Sequence, residues 1–297
     1  MDPSRKIMIL ALTATGAFFL IALIKNIRRN GELLHKAPGK VPVLCLCQFA
    51  VYFCTAFGLS DYTMNAALLR PMGLVRDEDL PGTLLAAASI PSVELAVLYV
   101  LRFPVPVPLL LAYTVPLMLG ITLGARVGSR LSGNVIRIVM GCGMTLSAAV
   151  LMIRLLAHKA DGGTLTALAY NQMILLGIVM FFLGAFNTIG FGAKTPAMAL
   201  LLTMGLAPQS VLALAMTGAG FGAPCGGYQY VRCCRYQPKV VLSAVIFGSL
   251  AALLGGVFVS RVSSGALQWI MVGIMLYTAA DLLLHKKSQP EPKEAKL

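Results

Sequence analysis

The sequence predicts an all-α polytopic membrane protein: two tandem repeats, each with a broken or re-entrant helix plus three transmembrane helices, and one extra N-terminal helix. Three observations predict it. Hydrophobic residues make up 58% and charged residues 12% of the 297 positions, whereas a soluble domain carries about 25% charged residues. The apolar runs are long enough to cross a hydrocarbon core of about 30 Å. One stretch also occurs twice, as Gly58 to Leu74 (GLSDYTMNAALLRPMGL) and Gly190 to Leu206 (GFGAKTPAMALLLTMGL). At an offset of 132 the copies agree at Gly58/Gly190, Thr63/Thr195, Ala67/Ala199, Leu68/Leu200, Leu69/Leu201, Met72/Met204, Gly73/Gly205 and Leu74/Leu206. Each copy is a glycine-bearing break in an apolar run, followed by apolar helix. Broken apolar segments at matching places in two halves point to a transporter binding site. A β-barrel would need alternating segments of about 10 residues, and none are visible.

The elements follow in order. Ile7 to Ile24 is an apolar run, and Lys25, Arg28 and Arg29 follow it without a small-residue cleavage site. It therefore reads as a retained helix rather than a signal peptide. With the basic connector Lys25 to Lys40 it forms a first unit, residues 1–40. Repeat one, residues 41–164 with its linker, holds the broken segment Val41 to Gly73 and helices Leu80 to Leu101, Leu109 to Val127 and Val135 to Leu156. Repeat two, residues 165–284, holds the broken segment Met173 to Gly205 and helices Gln209 to Tyr228, Val240 to Val259 and Leu267 to Leu284. The tail, residues 285–297, is polar and reads as disordered. The same offset pairs Gly124/Gly256, Ser132/Ser264, Gly141/Gly273 and Ala148/Ala280, which argues for a true duplication.

If each broken segment crosses fully, the halves are parallel; if each turns back, the halves are inverted. Basic turns arbitrate through the positive-inside rule. The inverted arrangement places Arg126, Arg130 and Arg137 inside with Lys25 to Lys40 and Arg232 to Lys239; the parallel one places only Arg102 there. The inverted arrangement is favoured. Re-entrant backbone is tolerated only when buried in protein or lining a wet cavity.

The net charge of +13 sits mostly at segment ends, which suits the positive-inside rule rather than a nucleic-acid partner. The seven cysteines form no C-x-x-C pair, no histidine cluster accompanies them, and neither a metal nor another cofactor is expected. Histidines 35, 158 and 285 lie at segment ends or in connectors, so no catalytic set is expected and the chain does not read as an enzyme. No G-x-x-x-x-G-K-[ST] sequence is present.

Ionisable groups at membrane depth are expensive and functional by default. Asp61 and Lys194 each follow the glycine break of their repeat, and could pair if the breaks meet. Such a pair could hold the halves together, or Lys194 could hold an anion while Asp61 carries a proton. Glu94, on the helix after the first break, is a second coupling candidate. Hydroxyls, amides and glycine around the breaks complete the candidate substrate site: Ser60, Thr63, Asn65, Asn187, Gly192 and Thr195, with Thr83 and Thr217 on the following helices. Taken singly, such residues line helix contacts in membranes; clustered at two breaks, they read as a site.

The stretches TAFGLSDYTMNAALLRPMGLVRDEDLPGTLLAAASIPSVE and IGFGAKTPAMALLLTMGLAPQSVLALAM, with APCGG beyond, resemble the two halves of the TauE/SafE-type sulfite exporters, the toluene sulfonate uptake permease family. Gly58, Gly73, Pro81, Gly82 and Thr83 match in half one; Gly190, Gly192, Pro196, Gly205, Pro208 and Pro224 match in half two. Ser60-Asp61 and Lys194 depart from the family's glycine-rich tracts. The resemblance covers roughly residues 41 to 284 and implies a multi-pass permease of a bacterial-type inner or plasma membrane. Its substrates would be small sulfur-containing anions such as sulfite, thiosulfate, sulfoacetate or sulfonates. Half-helix N-termini suit such anions, because their free N–H groups and positive dipole end face the ligand. The expected function is a secondary transporter coupled to protons or membrane potential, with the bilayer and a small anion as partners; a homodimer is compatible with it. A passive anion channel, or less readily a membrane-embedded enzyme, is the alternative.

Overall fold

The computed structural model describes residues 3–103, 105–156, 164–190, 192–258 and, near the C-terminus, 273, 276, 277 and 279–284. Among them the chain is all-helical, apart from one isolated bridge between Leu165 and Leu206. The helices are α1 (Pro3–Arg29), α2 (Gly31–Lys36), α3 (Val41–Thr55), α4 (Asp61–Leu69), α5 (Leu80–Arg102), α6 (Val107–Gly128), α7 (Gly133–Leu156), α8 (Tyr170–Asn187), α9 (Lys194–Thr203) and α10 (Pro208–Arg232). A last segment runs from α11 (Pro238–Ser243) through a π-helical turn (Ala244–Gly248) into α12 (Ser249–Phe258). Residues 279–284 are helical. Residues 273, 276 and 277 are helical too; the other residues of the expected final helix, the linker residues 157–163 and the tail 285–297 lie outside the described residues.

Among the described residues, six helices are long and apolar enough to cross a membrane: α1, α5, α6, α7, α8 and the continuous segment Pro238–Phe258. The chain is a multi-pass membrane protein. Although 25 residues long, α10 is not among the six. Most of it meets protein: the glycine-rich middle of α10 is buried, and α5 packs along it. A helix surrounded by protein does not need an all-apolar face.

Both repeated stretches are helical hairpins that leave and return at one end. In the first, α3 and α4 are joined through Gly58; Gly39 before it and Leu74 after it are in contact, since a Cβ on Gly39 would lie 2.9 Å from the Leu74 side chain. In the second, α8 and α9 are joined through Gly190 and Gly192, and Leu165 and Leu206 close the base as the isolated bridge. The arm α8 is long enough to cross, but the returning arm α9 has 10 residues.

The hairpins share their local hydrogen bonds at the offset of 132. Before each break, Gly58 N–H donates to Thr55 O at 2.9 Å and Gly190 N–H to Asn187 O at 3.2 Å. After each second arm, Gly73 and Gly205 adopt positive φ. There Leu74 N–H reaches Leu69 O at 3.1 Å, and Leu206 N–H reaches Leu201 O at 3.2 Å. This is a Schellman stop, which glycine makes without Cβ strain. Both glycines at the breaks are left-handed, with φ 96° at Gly58 and 113° at Gly190. Gly190 is doubly constrained, because a Cβ there would fall 1.7 Å from the Met140 side chain.

The helices cross closely where side chains are small. A Cβ on Gly120 would sit 2.0 Å from Phe181 O, one on Gly124 2.4 Å from Ala185 O, and one on Gly184 2.4 Å from Leu117 O. The small-residue stripe of α6 thus lets the α8 backbone approach, the usual way helices associate in lipid. Pairs along α5 and α10 run in opposite senses: Gly82 meets Tyr230, Gly227 meets Ala86 and Ser89, and Gly220 meets Ser92 and Ala96. The two long helices are antiparallel. The π-helical turn at Ala244–Gly248 packs Gly248 against Tyr52 of α3 and Pro91 of α5.

The basic turns gather at one end. Arg235 donates to Ser129 O at 2.7 Å and Leu131 O at 3.0 Å, and pairs with Glu78 at 3.2 Å. Lys239 reaches Ala37 O at 2.6 Å, and Gln237 reaches Pro38 O at 2.8 Å. The connector before α3, the α6–α7 turn and the α10–α11 turn therefore share a face. Arg102, at the far end of α5, lies opposite.

Arg70 closes the first hairpin. Its side chain is 1% exposed. It pairs with Asp77 through two nitrogens, at 2.8 and 3.4 Å, and with the Asp281 carboxylate near the C-terminus. It also donates to the Asp281 carbonyl at 2.9 Å.

Two measurements follow from this architecture. In a background lacking other cysteines, Cys233 and an Arg130→Cys variant should react with an impermeant maleimide from one side of the membrane, and Arg102→Cys from the other. Reaction of Arg130→Cys and Cys233 from opposite sides would contradict the fold. Arg70→Ala should destabilise the protein by about 1–3 kcal/mol, because it leaves the half-buried Asp77 and Asp281 carboxylates without their cation; thermal unfolding of the detergent-purified protein reads this as a lowered midpoint.

Candidate functional site

The first residues of α4 and α9 meet. Lys194 Nζ lies 3.1 Å from Asp61 Oδ1 and 3.5 Å from Leu59 O. The side chains are 10% and 11% exposed, so water screens the pair little. The chain reaches this arrangement by two side-chain hydrogen bonds. Ser60 caps α4, accepting from Thr63 N–H at 3.4 Å. Asn187, at the end of α8, accepts from Ala193 N–H at 3.0 Å and so spans the second break.

These N-termini border a cavity of about 60 Å³, roughly the share of liquid volume taken by two water molecules. Ser60, Asp61, Asn187, Gly192 and Lys194 of the sequence-derived set lie on its wall. The rest of the wall comes from Tyr62 of α4, Ala193, and α5, α6 and α10, including Ser92, Tyr113, Gly218 and Ala219. A wall of this kind, mostly apolar with a few convergent polar groups, is typical of small-ligand sites. Gly218 is forced to be small: a Cβ there would fall 2.4 Å from the Tyr113 ring.

The other sequence-derived residues sit elsewhere. Thr195 and Thr63 are not on the cavity wall, although Thr63 Oγ1 faces Gly192 across the hairpins, 3.9 Å from where a Cβ would be. Asn65 accepts from Gln48 at 2.8 Å, behind α4. Thr83 bonds Asp79 O and accepts from Gln237 N–H at the basic end. Thr217 bonds back to Ala213 O at 2.7 Å. Glu94 lies against Ser249 of α12, and its Oε2 has no hydrogen-bond partner among the described residues.

Sequence reading named Thr63 and Asn65 but not Tyr113, Ser92, Gln48, Tyr52 or Tyr62. Tyr113 and Ser92 stand on unbroken helices and carry no local mark of a site. Behind Asp61, Gln48 Oε1, Tyr52 OH, Tyr62 OH, Thr63 Oγ1 and Asn65 Nδ2 are buried without a hydrogen-bond partner among the described residues. Leaving such atoms unpaired costs about 1–3 kcal/mol each. The mid-helix polar residues Gln48, Tyr52 and Asn65, at spacings that bring α3 and α4 together, were the available signal.

Each break is also held from outside its hairpin. Tyr99 of α5 donates to Ala56 O at 2.7 Å, and Tyr230 of α10 donates to Thr188 O at 2.7 Å. Ala56 and Thr188 are equivalent at the offset of 132. The chemistry available is therefore electrostatic: a cation and a carboxylate at two helix N-termini, held by phenols on the two central helices.

No family model, no curated protein and no solved structure matches this chain.

Tyr230→Phe should cost about 1–3 kcal/mol, since it leaves a buried carbonyl unpaired; the thermal midpoint measures it. Lys194→Ala should lower folded yield, and adding Asp61→Ala should recover most of that loss, because the double variant leaves no lone buried charge. Yield by size-exclusion chromatography decides. A double variant no better than Lys194→Ala would mean the two side chains do not neutralise each other.

Proposed function

We propose that this chain is a secondary transporter for small anions, with the cavity between its two hairpins as the binding site. The observation that carries this reading is the Lys194–Asp61 pair, which sits at the N-termini of both half-helices on the cavity wall. An ammonium and two helix N-termini attract an anion. The carboxylate opposes it until protonated. An arriving anion then takes the ammonium while a proton neutralises Asp61, so that binding carries both together. The orphaned polar atoms behind Asp61 offer hydrogen-bond partners along a proton route. The volume of about 60 Å³ suits a small oxyanion better than a drug-sized ligand.

We read the two halves as inverted repeats. The matched hairpin bonds, the antiparallel central helices and the bases of the hairpins at opposite ends support this. Related halves of opposite sense can exchange conformations, which opens the same site to each side in turn. By the positive-inside rule the shared basic end would face the cytoplasm of a bacterial-type inner or plasma membrane. The sulfite-exporter resemblance names sulfite as the first substrate to try.

Reconstituted protein should exchange labelled sulfite against preloaded sulfite, and accumulate it when a proton gradient is imposed. Asp61→Asn should keep exchange and lose gradient-driven accumulation. Lys194→Ala should weaken half-saturation by at least about tenfold, the equivalent of 1.4 kcal/mol. Unchanged gradient-driven accumulation by Asp61→Asn would remove that residue from coupling. Absence of exchange with conductive flux would indicate a channel.

A further inference from the structure

At the basic end a second cavity, about 620 Å³, opens between α1 and α10. It is separate from the hairpin site and its residues take no part in the transport reading. Lys25, Arg29 and Arg232 line it, all exposed, together with Phe18, Ile21 and Tyr228. No carboxylate lines it, and among the described residues none of the three cations is in an ion pair.

The groove has a built floor. Asn26 donates to Val231 O at 2.8 Å and accepts from the Tyr236 hydroxyl at 2.8 Å, which fixes the end of α1 on α10. Phe18 and Tyr228 pack ring to ring with centroids 5.0 Å apart. Along α1, Phe18, Ile21, Lys25 and Arg29 fall on one face by their three- and four-residue spacings. From Phe18 to Arg29 the helix rises about 16 Å. One end of this face is thus cationic and the other apolar. Phe18 and Ile21 are 55% and 67% exposed, and further along the helix Ile7 and Leu10 continue the apolar surface.

We infer that this groove holds one anionic phospholipid, its phosphate among Lys25, Arg29 and Arg232 and an acyl chain along Phe18 and Ile21. The polarity decides for a lipid over a soluble phosphate. A free anion would use only the cationic end, whereas the apolar half of the groove continues into the bilayer-facing side of α1. Clustered lysines and arginines at the cytoplasmic end of membrane helices attract anionic headgroups. Outside the central helix pair, α1 has few other means of attachment, and a lipid here would tie it to α10.

Native mass spectrometry of the full-length detergent-purified protein tests this, with phosphatidylglycerol and phosphatidylcholine of identical acyl chains and with soluble glycerol phosphate. The expected result is a one-to-one phosphatidylglycerol adduct that phosphatidylcholine and glycerol phosphate do not form. Lys25→Gln, Arg29→Gln and Arg232→Gln together should weaken it by about a hundredfold. All three positions are exposed, and a Lys25→Arg, Arg232→Lys variant that keeps the charge should retain the adduct. Equal retention of phosphatidylcholine, equal binding of glycerol phosphate, or an undiminished adduct in the triple glutamine variant would each overturn the proposal.

Discussion

A helix broken inside a bilayer strands backbone groups where no lipid can satisfy them. That constraint organises this protein. Each break is answered three times: by glycine at the turn, by a side chain that accepts a backbone N–H there, and by a tyrosine hydroxyl from a central helix. The tyrosines stand on α5 and α10, the helices that pack together most extensively. The central pair is therefore more than filler between the hairpins; it supplies what allows them to exist.

Once the breaks are held, the charged pair follows. Two helix starts directed at one another concentrate positive potential, and a carboxylate beside them relieves it. Lys194 and Asp61 are at once a structural solution and a chemical opportunity, because a ligand can stand where the carboxylate stands. A buried pair by itself is weak evidence of function. Here it adjoins a cavity, and buried polar atoms with no partner stand behind it.

Much of this was legible in the sequence. The hairpins announce themselves by glycine placement and by repetition, since backbone that must adopt positive φ leaves few residue choices. The encounter of Asp61 with Lys194 could be anticipated because both follow the same landmark. The gathering of Arg130, Arg235 and Lys40 at one end could be anticipated from charge counting. What was not legible depends on which face of a helix turns inward. Thr83 and Thr217 lie on the right helices, yet one closes a turn and the other bonds its own backbone. Tyr113 and Ser92 border the cavity without any local mark of it. Arg70 carried no mark in the sequence, because its partner Asp281 stands more than two hundred residues away in the chain.

That last distance bears on how the protein is made. Synthesis proceeds from the N-terminus, so the first hairpin is made long before Asp281. Likewise α3 rests on α12, which is translated nearly two hundred residues later. The contacts that seal the first half are therefore completed only by the last helices of the chain, and a chain stopped halfway would lack both the Asp281 partner of Arg70 and the α12 surface under α3.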